Sequence, residues 1–186
     1  KLILTLFRVL APILAFVILL FLATLVFTGI EPLWDTKMAA AILLLSLGLL
    51  VLFQNAVIQD AESAQTFWKP AEWIVMAANV AAPALPILAG WGIYLRVDQY
   101  GWTPARFFMV LLTGVALAYA LTYAGSILVK RSAWTEGIIR CNPILALALL
   151  ALAVFMHVPP LEPYGRSASD QLSRLRDGRT APADFD

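Results

Sequence analysis

Long apolar stretches alternate with short polar ones along the whole chain. A bilayer core about 30 Å thick needs roughly 20 helical residues to cross it, and five stretches approach that length. None shows the period-two alternation of transmembrane strands, so we expect helices, which satisfy their backbone polar groups internally. The pattern predicts an all-α bundle with spans at 9–28, 38–57, 73–97, 107–129 and 143–158, followed by a polar tail at 162–186.

Residues that start and stop helices lie between these spans. Thr103-Pro104 and Asn142-Pro143 have the order of a capping residue followed by a first-turn proline, which predicts the starts of the fourth and fifth helices. Pro159-Pro160 predicts the end of the fifth. Tryptophan favours the headgroup level of a membrane, and all six lie at or near predicted span ends: Trp34, Trp68, Trp73, Trp91, Trp102 and Trp134.

Composition narrows the functional classes. Of the 186 residues, 61% are apolar and 13% charged, whereas soluble domains carry about 45–50% apolar and about 25% charged residues. A soluble enzyme or a nucleic-acid binder is therefore excluded, and the net charge of +1 offers no basic face for phosphate backbones. The single cysteine, Cys141, and the single histidine, His157, exclude an internal disulfide and a multi-histidine zinc site. We expect neither metal nor cofactor, and the start at Lys1 suggests a piece of a longer protein.

The distribution of positive charge predicts the orientation of the chain in the membrane. Positive residues in short loops favour the cytoplasmic side. The amino-terminal side carries Lys69, Lys130 and Arg140, among others, which favours a cytoplasmic amino end. The arginines of the tail argue against that orientation.

The third span contains the strongest polar interruption. Pro83 and Pro86 each remove a backbone donor, and Asn79 adds an amide at membrane depth. Broken helices form binding sites in many transporters, but a kinked helix packed through its small residues is an equally physical interpretation. Asn55, near the end of the second span, belongs either to a polar vestibule or to a helix emerging into water. Together these residues form the candidate polar membrane site: Asn55, Asn79, Pro83 and Pro86.

The loop before the fourth span is the most distinctive polar stretch. It is either a structural turn or an interaction site, and its candidate residues are Arg96, Gln99, Tyr100, Gly101, Thr103 and Arg106. The tail predicts a short helix at 167–177, in which Ser167 and Asp170 have the spacing of a capping box. Leu172 and Leu175 share one face of that helix, which favours either a helix lying beside the membrane or one that docks a partner.

Two of these stretches resemble a bacterial membrane family known as domain of unknown function 4153. Arg96-Val-Asp-Gln-Tyr-Gly-Trp-Thr-Pro-Ala-Arg106 is similar to its R-x-x-Q-Y-G-[LW]-T-x-x-R loop, and Ser167 to Leu175 to its Ser-x-x-x-Gln-x-x-Arg-Leu pattern. Glu31–Asp35 and Asn55–Asp60 also match, although Ala61 stands where members often carry glycine. The resemblance implies the carboxy-proximal membrane part of a larger protein and supplies no active site.

No catalytic motif, such as a zinc-protease, nucleophile-elbow or phosphate-binding sequence, occurs in the chain. We therefore expect a protein that is not an enzyme. The favoured function is a structural or partner-binding module of a larger protein in the bacterial inner membrane. Its expected partners are the lipid bilayer and either upstream helices of the same protein or another membrane protein. The alternative is a transporter or channel for a small solute that uses the broken third helix.

Overall fold

The protein is an all-α helical bundle, seen in a computed structural model that describes residues 2–58, 67–130, 133–156 and 163–178. Eight helices lie within these ranges. They are α1 (Leu2–Thr28), α2 (Glu31–Asp35), α3 (Ala39–Val57), α4 (Lys69–Ala81), α5 (Ala84–Tyr100), α6 (Pro104–Lys130), α7 (Trp134–Phe155) and α8 (Pro163–Arg176).

Within the described residues, five helical segments are long and apolar enough to cross a membrane, which confirms the all-α prediction. They are Thr5–Thr28, Ala39–Val57, Lys69–Tyr100, Pro104–Lys130 and Trp134–Phe155. Each overlaps one predicted span. Many large apolar side chains point outward, Val26, Leu45, Leu128 and Leu147 among them, as expected of helices whose solvent is lipid.

The third span consists of α4 and α5, joined end to end at Ala82 and Pro83. Pro83 has no N–H for the Asn79 carbonyl, and Pro86 has none for the Ala82 carbonyl. The Leu85 N–H donates to the Ala82 carbonyl instead, at 3.0 Å. Because Ala82 and Pro83 keep helical dihedral angles (φ −54°, ψ −34° and φ −56°, ψ −24°), the interruption is local and the span continues through it.

Two predicted helix starts are wrong. The fifth spanning helix begins at Trp134 rather than at Asn142-Pro143, so that Pro143 lies inside α7. The Trp134 ring is 1% exposed and its indole N–H donates to Glu72 of α4 at 3.0 Å, which anchors the first turn well before the proline. The tail helix begins at Pro163 rather than at residue 167, because proline suits the first turn of a helix. Residues 157 and 158, at the end of the predicted fifth span, lie outside the described residues.

Small side chains allow the third span to pack closely in the centre of the bundle. Ala78, Ala82 and Ala89 are buried along it, and α1 and α6 contact α4 while α3 and α6 contact α5. A Cβ on Gly92 of α5 would lie 2.6 Å from the Trp34 ring of α2. Helices in lipid associate through such close approaches, because burying apolar surface gains little there. This arrangement agrees with the interpretation of the third span as a helix packed through its small residues.

Candidate functional site

The loop after α5 is fastened to α8 by hydrogen bonds from side chains to the backbone. Asp170 accepts the Trp102 N–H at 2.8 Å. The Ser167 hydroxyl donates to the Trp102 carbonyl at 3.0 Å, and the Gln171 amide donates to the same carbonyl at 2.9 Å. We call this set of contacts, together with those of Arg174, the α8 clasp.

Arg174 completes the clasp by capping the end of α5. Its Nη2 donates to the Val97 carbonyl at 3.1 Å and lies 3.4 Å from the Asp98 carbonyl. Its Nε lies 3.3 Å from Asp170, whose side chain is 27% exposed, against 15% for that of Arg174. A cation next to the last carbonyls of a helix complements both their unpaired lone pairs and the negative end of the helix dipole.

Gly101 makes the close approach of loop and helix possible. Its φ of +76° lies in the left-handed region, which glycine adopts readily. A Cβ at this position would lie 2.6 Å from Nε of Arg174 and 2.8 Å from the Asp170 carboxylate. The clasp therefore requires glycine for two separate reasons, one conformational and one steric.

Three more of the predicted loop residues, Tyr100, Thr103 and Arg106, hold the loop from the α6 side. Arg106 donates from Nη1 to the Gly101 carbonyl at 2.7 Å. Its guanidinium carbon lies 5.5 Å from the centroid of the Tyr100 ring, a cation–π distance. Thr103 accepts the Arg106 N–H at 3.3 Å through its hydroxyl, consistent with its predicted role at the start of the helix.

Arg96 and Gln99, the other two predicted loop residues, lie apart from the clasp. Arg96 donates from Nη2 to the Lys37 carbonyl at 2.8 Å and so joins the end of α5 to the turn before α3. Gln99 is exposed. The predicted loop site is thus brought together around Gly101, with Arg96 beside it and Gln99 directed to the surface.

The predicted capping box in the tail is wrong. Ser167 and Asp170 both lie inside α8, and their side chains bind the backbone of residue 102 rather than the first turn of their own helix. The i, i+3 spacing that suggests a box also places two side chains on one helix face. Here that face is turned towards the loop.

In the candidate polar membrane site, the Asn79 side chain exchanges a reciprocal pair of hydrogen bonds with the Gln54 side chain. Asn79 donates to the Gln54 side-chain oxygen at 2.9 Å, and Gln54 donates back to the Asn79 oxygen at 3.2 Å. Asn79 also donates to the Val75 carbonyl of its own helix at 2.7 Å. Gln54 is 0% and Asn79 1% exposed, so the pair joins α3 to α4 without contact with solvent or lipid.

Asn55 belongs to a second polar cluster, between α3, α6 and α7. The Tyr123 hydroxyl lies 2.9 Å from the Asn55 side-chain oxygen and 2.8 Å from that of Asn142. The Asn142 amide in turn donates to Asn55 at 2.8 Å. This bonding explains why Asn142 does not cap a helix, and it makes Asn55 part of a junction between three helices rather than a vestibule.

Pro83 and Pro86 lie one helical turn or more beyond the amide pair. Pro86 is buried and Pro83 half-buried. Every buried side-chain nitrogen or oxygen in the described residues has a hydrogen-bond partner. No group of three or more histidine, cysteine, aspartate or glutamate side chains with metal-binding proximity occurs in those residues, and His157 lies outside them. The arrangement holds helices together and offers no unpaired amide.

The sequence indicates the candidate residues better than it indicates their hydrogen-bond partners. Gln54 directly precedes Asn55 along the chain, but nothing in the sequence shows that the two amides belong to different clusters. Trp134 was expected at the headgroup level; it does lie at a span end, but its ring is buried against the bundle. The available signal was the presence of polar residues at membrane depth, because such residues usually bond to one another.

Comparisons with known proteins add nothing to these observations: no family model, curated protein or solved structure matches the chain. The resemblance to domain of unknown function 4153 therefore stays a prediction.

Proposed function

We propose that this chain is a non-enzymatic membrane module that holds α8 at one end of its helical bundle as a docking element for another protein. The observation that carries the proposal is the α8 clasp. Four side chains of α8 bind the loop backbone, and each makes its bond to a main-chain group of residues 97–102. Main-chain bonding of this kind fixes the position and rotation of the helix.

The fixed rotation leaves a narrow apolar stripe on another face of α8. Ala168, Leu172 and Leu175 follow the i, i+4, i+7 spacing of one helix face. All three are exposed, Leu172 by 50%. Exposed leucines on an otherwise polar helix are typical of a helix that is recognised by a groove in a partner. The bacterial inner membrane remains our proposal for the location.

The amide pair gives no support to the transport alternative. A solute site needs polar groups that can exchange partners, whereas Asn79 has each of its bonds satisfied within the bundle. The fixed position of α8 therefore favours docking, and the bonded amides within the bundle give transport no support.

Site-specific photocrosslinking tests this function in the full-length protein in its native membrane. A photoreactive residue at position 172 should yield a discrete protein adduct, identified by mass spectrometry. Leu175→Glu should remove that adduct, because it places a charge on the same stripe. Ser169→Glu provides the matched control, since Ser169 is exposed on α8 but lies outside the stripe.

Two results would contradict the proposal. The first is a set of adducts made only with lipid, which would identify α8 as a helix that rests on the membrane. The second is an equal loss of the protein adduct in Leu175→Glu and Ser169→Glu, which would show that charge, and not the stripe, governs the contact.

A further inference from the structure

A second site lies at the same end of the bundle, between the α2–α3 turn, the end of α5 and the start of α6. It is a cavity of about 380 Å³. Three cationic side chains line it: Lys37, Arg96 and Arg106. No aspartate or glutamate lines it, and the neighbouring Asp35 and Asp98 are exposed.

The three cations lack an anionic partner within the described part of the chain. The ion pair seen there joins Arg174 to Asp170, and none of Lys37, Arg96 and Arg106 takes part in one. Arg96 donates one hydrogen bond to the Lys37 carbonyl, and Arg106 donates one to the Gly101 carbonyl. Because a guanidinium carries five N–H donors, most of the donors on both side chains remain for a ligand.

The fold places the positive charges of Lys37, Arg96 and Arg106 around one cavity. Arg106 is half-buried, and Arg96 and Arg174 are both near enough to repel its charge. The bond from Arg96 to the Lys37 carbonyl joins two of the cationic residues directly, and Lys37 has a left-handed φ of 56°. Thr103, just before α6, and Ala105, in its first turn, both line the cavity, so the positive end of a long helix dipole faces the same space.

The remaining lining identifies the kind of anion. Trp34, Ile93 and Met109 form an apolar side of the cavity. The cavity lies where spans end, since α3 begins at Ala39, α5 ends at Tyr100 and α6 begins at Pro104. Arginine binds phosphate, as it binds carboxylate, through paired N–H groups. Basic pockets between membrane helices, described for the cytoplasmic and matrix sides, bind phosphate-bearing lipid headgroups.

We propose that the Lys37–Arg96–Arg106 cavity binds the phosphate of an anionic phospholipid headgroup, with the lipid chains lying along the apolar side. This proposal does not rest on the docking role of α8. It predicts a lipid that stays with the protein when most of the bilayer has been removed.

Native mass spectrometry of the detergent-purified chain tests the site with phosphatidylglycerol and phosphatidylcholine. The wild-type chain should retain one phosphatidylglycerol at concentrations that leave phosphatidylcholine unbound. Lys37→Gln/Arg96→Gln should weaken that binding about 30-fold, the factor that corresponds to about 1 kcal/mol for each of two cations. Arg176→Gln is the control, because it removes one charge from α8 at the same end without touching the cavity.

A second variant separates lost binding from lost folding. Lys37→Gln alone keeps the carbonyl that Arg96 binds and should weaken binding by about fivefold with unchanged helicity. The proposal is overturned if Arg176→Gln weakens binding as much as Lys37→Gln, or if both lipids bind equally. It is also overturned if millimolar inorganic phosphate displaces phosphatidylglycerol, since the ligand would then be free phosphate.

Discussion

The amide pair between α3 and α4 makes a quantitative prediction. Asn79→Leu replaces a carboxamide by an apolar group of similar size and removes both bonds to Gln54. Gln54 is 0% exposed, so its donor and its acceptor are then left unpaired. An unsatisfied buried polar group costs about 1–3 kcal/mol, whereas bonds between membrane helices average about 0.6 kcal/mol. We therefore expect Asn79→Leu to lower the free energy of unfolding by about 2–4 kcal/mol.

The partner substitution should cost less. Gln54→Met leaves Asn79 with its bond to the Val75 carbonyl, so we expect a loss of about 1–3 kcal/mol. The double variant leaves neither amide behind and should unfold within about 1 kcal/mol of the wild-type chain. The two effects are therefore strongly non-additive, as expected of residues in direct contact.

Unfolding in mixed micelles with increasing sodium dodecyl sulfate, followed by far-ultraviolet circular dichroism, measures these differences. Ser46→Ala is the control, because the Ser46 hydroxyl bonds only within its own helix in the described contacts, and it should change stability by less than about 0.5 kcal/mol. A double variant as unstable as the sum of the two single variants would refute the pairing.

Three further substitutions test other contacts. Gly92→Ala should destabilise the bundle by about 1–3 kcal/mol, because its Cβ would meet the Trp34 ring at 2.6 Å; unchanged micellar unfolding would contradict this contact. Gly101→Ala should release α8 and speed amide hydrogen exchange in residues 163–176, because the added Cβ would lie 2.6 Å from Nε of Arg174. Exchange at the wild-type rate would contradict the clasp. Tyr123→Phe should cost about 1–2 kcal/mol by removing the hydroxyl between Asn55 and Asn142, and an equal loss in an Asn55→Ala background would show that the cluster does not act as a unit.

The spans could be predicted from sequence because their signal is local. Some 20 consecutive apolar residues meet the thickness of a bilayer whatever surrounds them, and all five predicted spans overlap helices in the structure. Helix starts were harder to predict. Asn142-Pro143 has the local pattern of a helix start, but the burial of Trp134 and its bond to Glu72 extend the helix backwards, and that contact joins residues 62 positions apart.

In the candidate sites, too, local features could be predicted from the sequence, whereas contacts between distant residues could not. The residues of the loop around Gly101 could be selected from sequence, because a polar stretch with glycine and two arginines is unusual in so apolar a chain. Its partner could not be identified, because Ser167 and Asp170 fit a local capping box equally well. Asn79 could be selected as an amide at membrane depth, but its bond to Gln54 depends on which faces of α3 and α4 meet.

The two polar clusters also impose an order on how the chain is assembled in the membrane. Gln54 finds its partner as soon as the next span enters, because Asn79 follows it by 25 residues. Asn55, its neighbour on α3, bonds instead to Tyr123 of α6 and Asn142 of α7, which follow 68 and 87 residues later. α3 thus carries one amide whose partner follows in the next span and one whose partners follow only in α6 and α7.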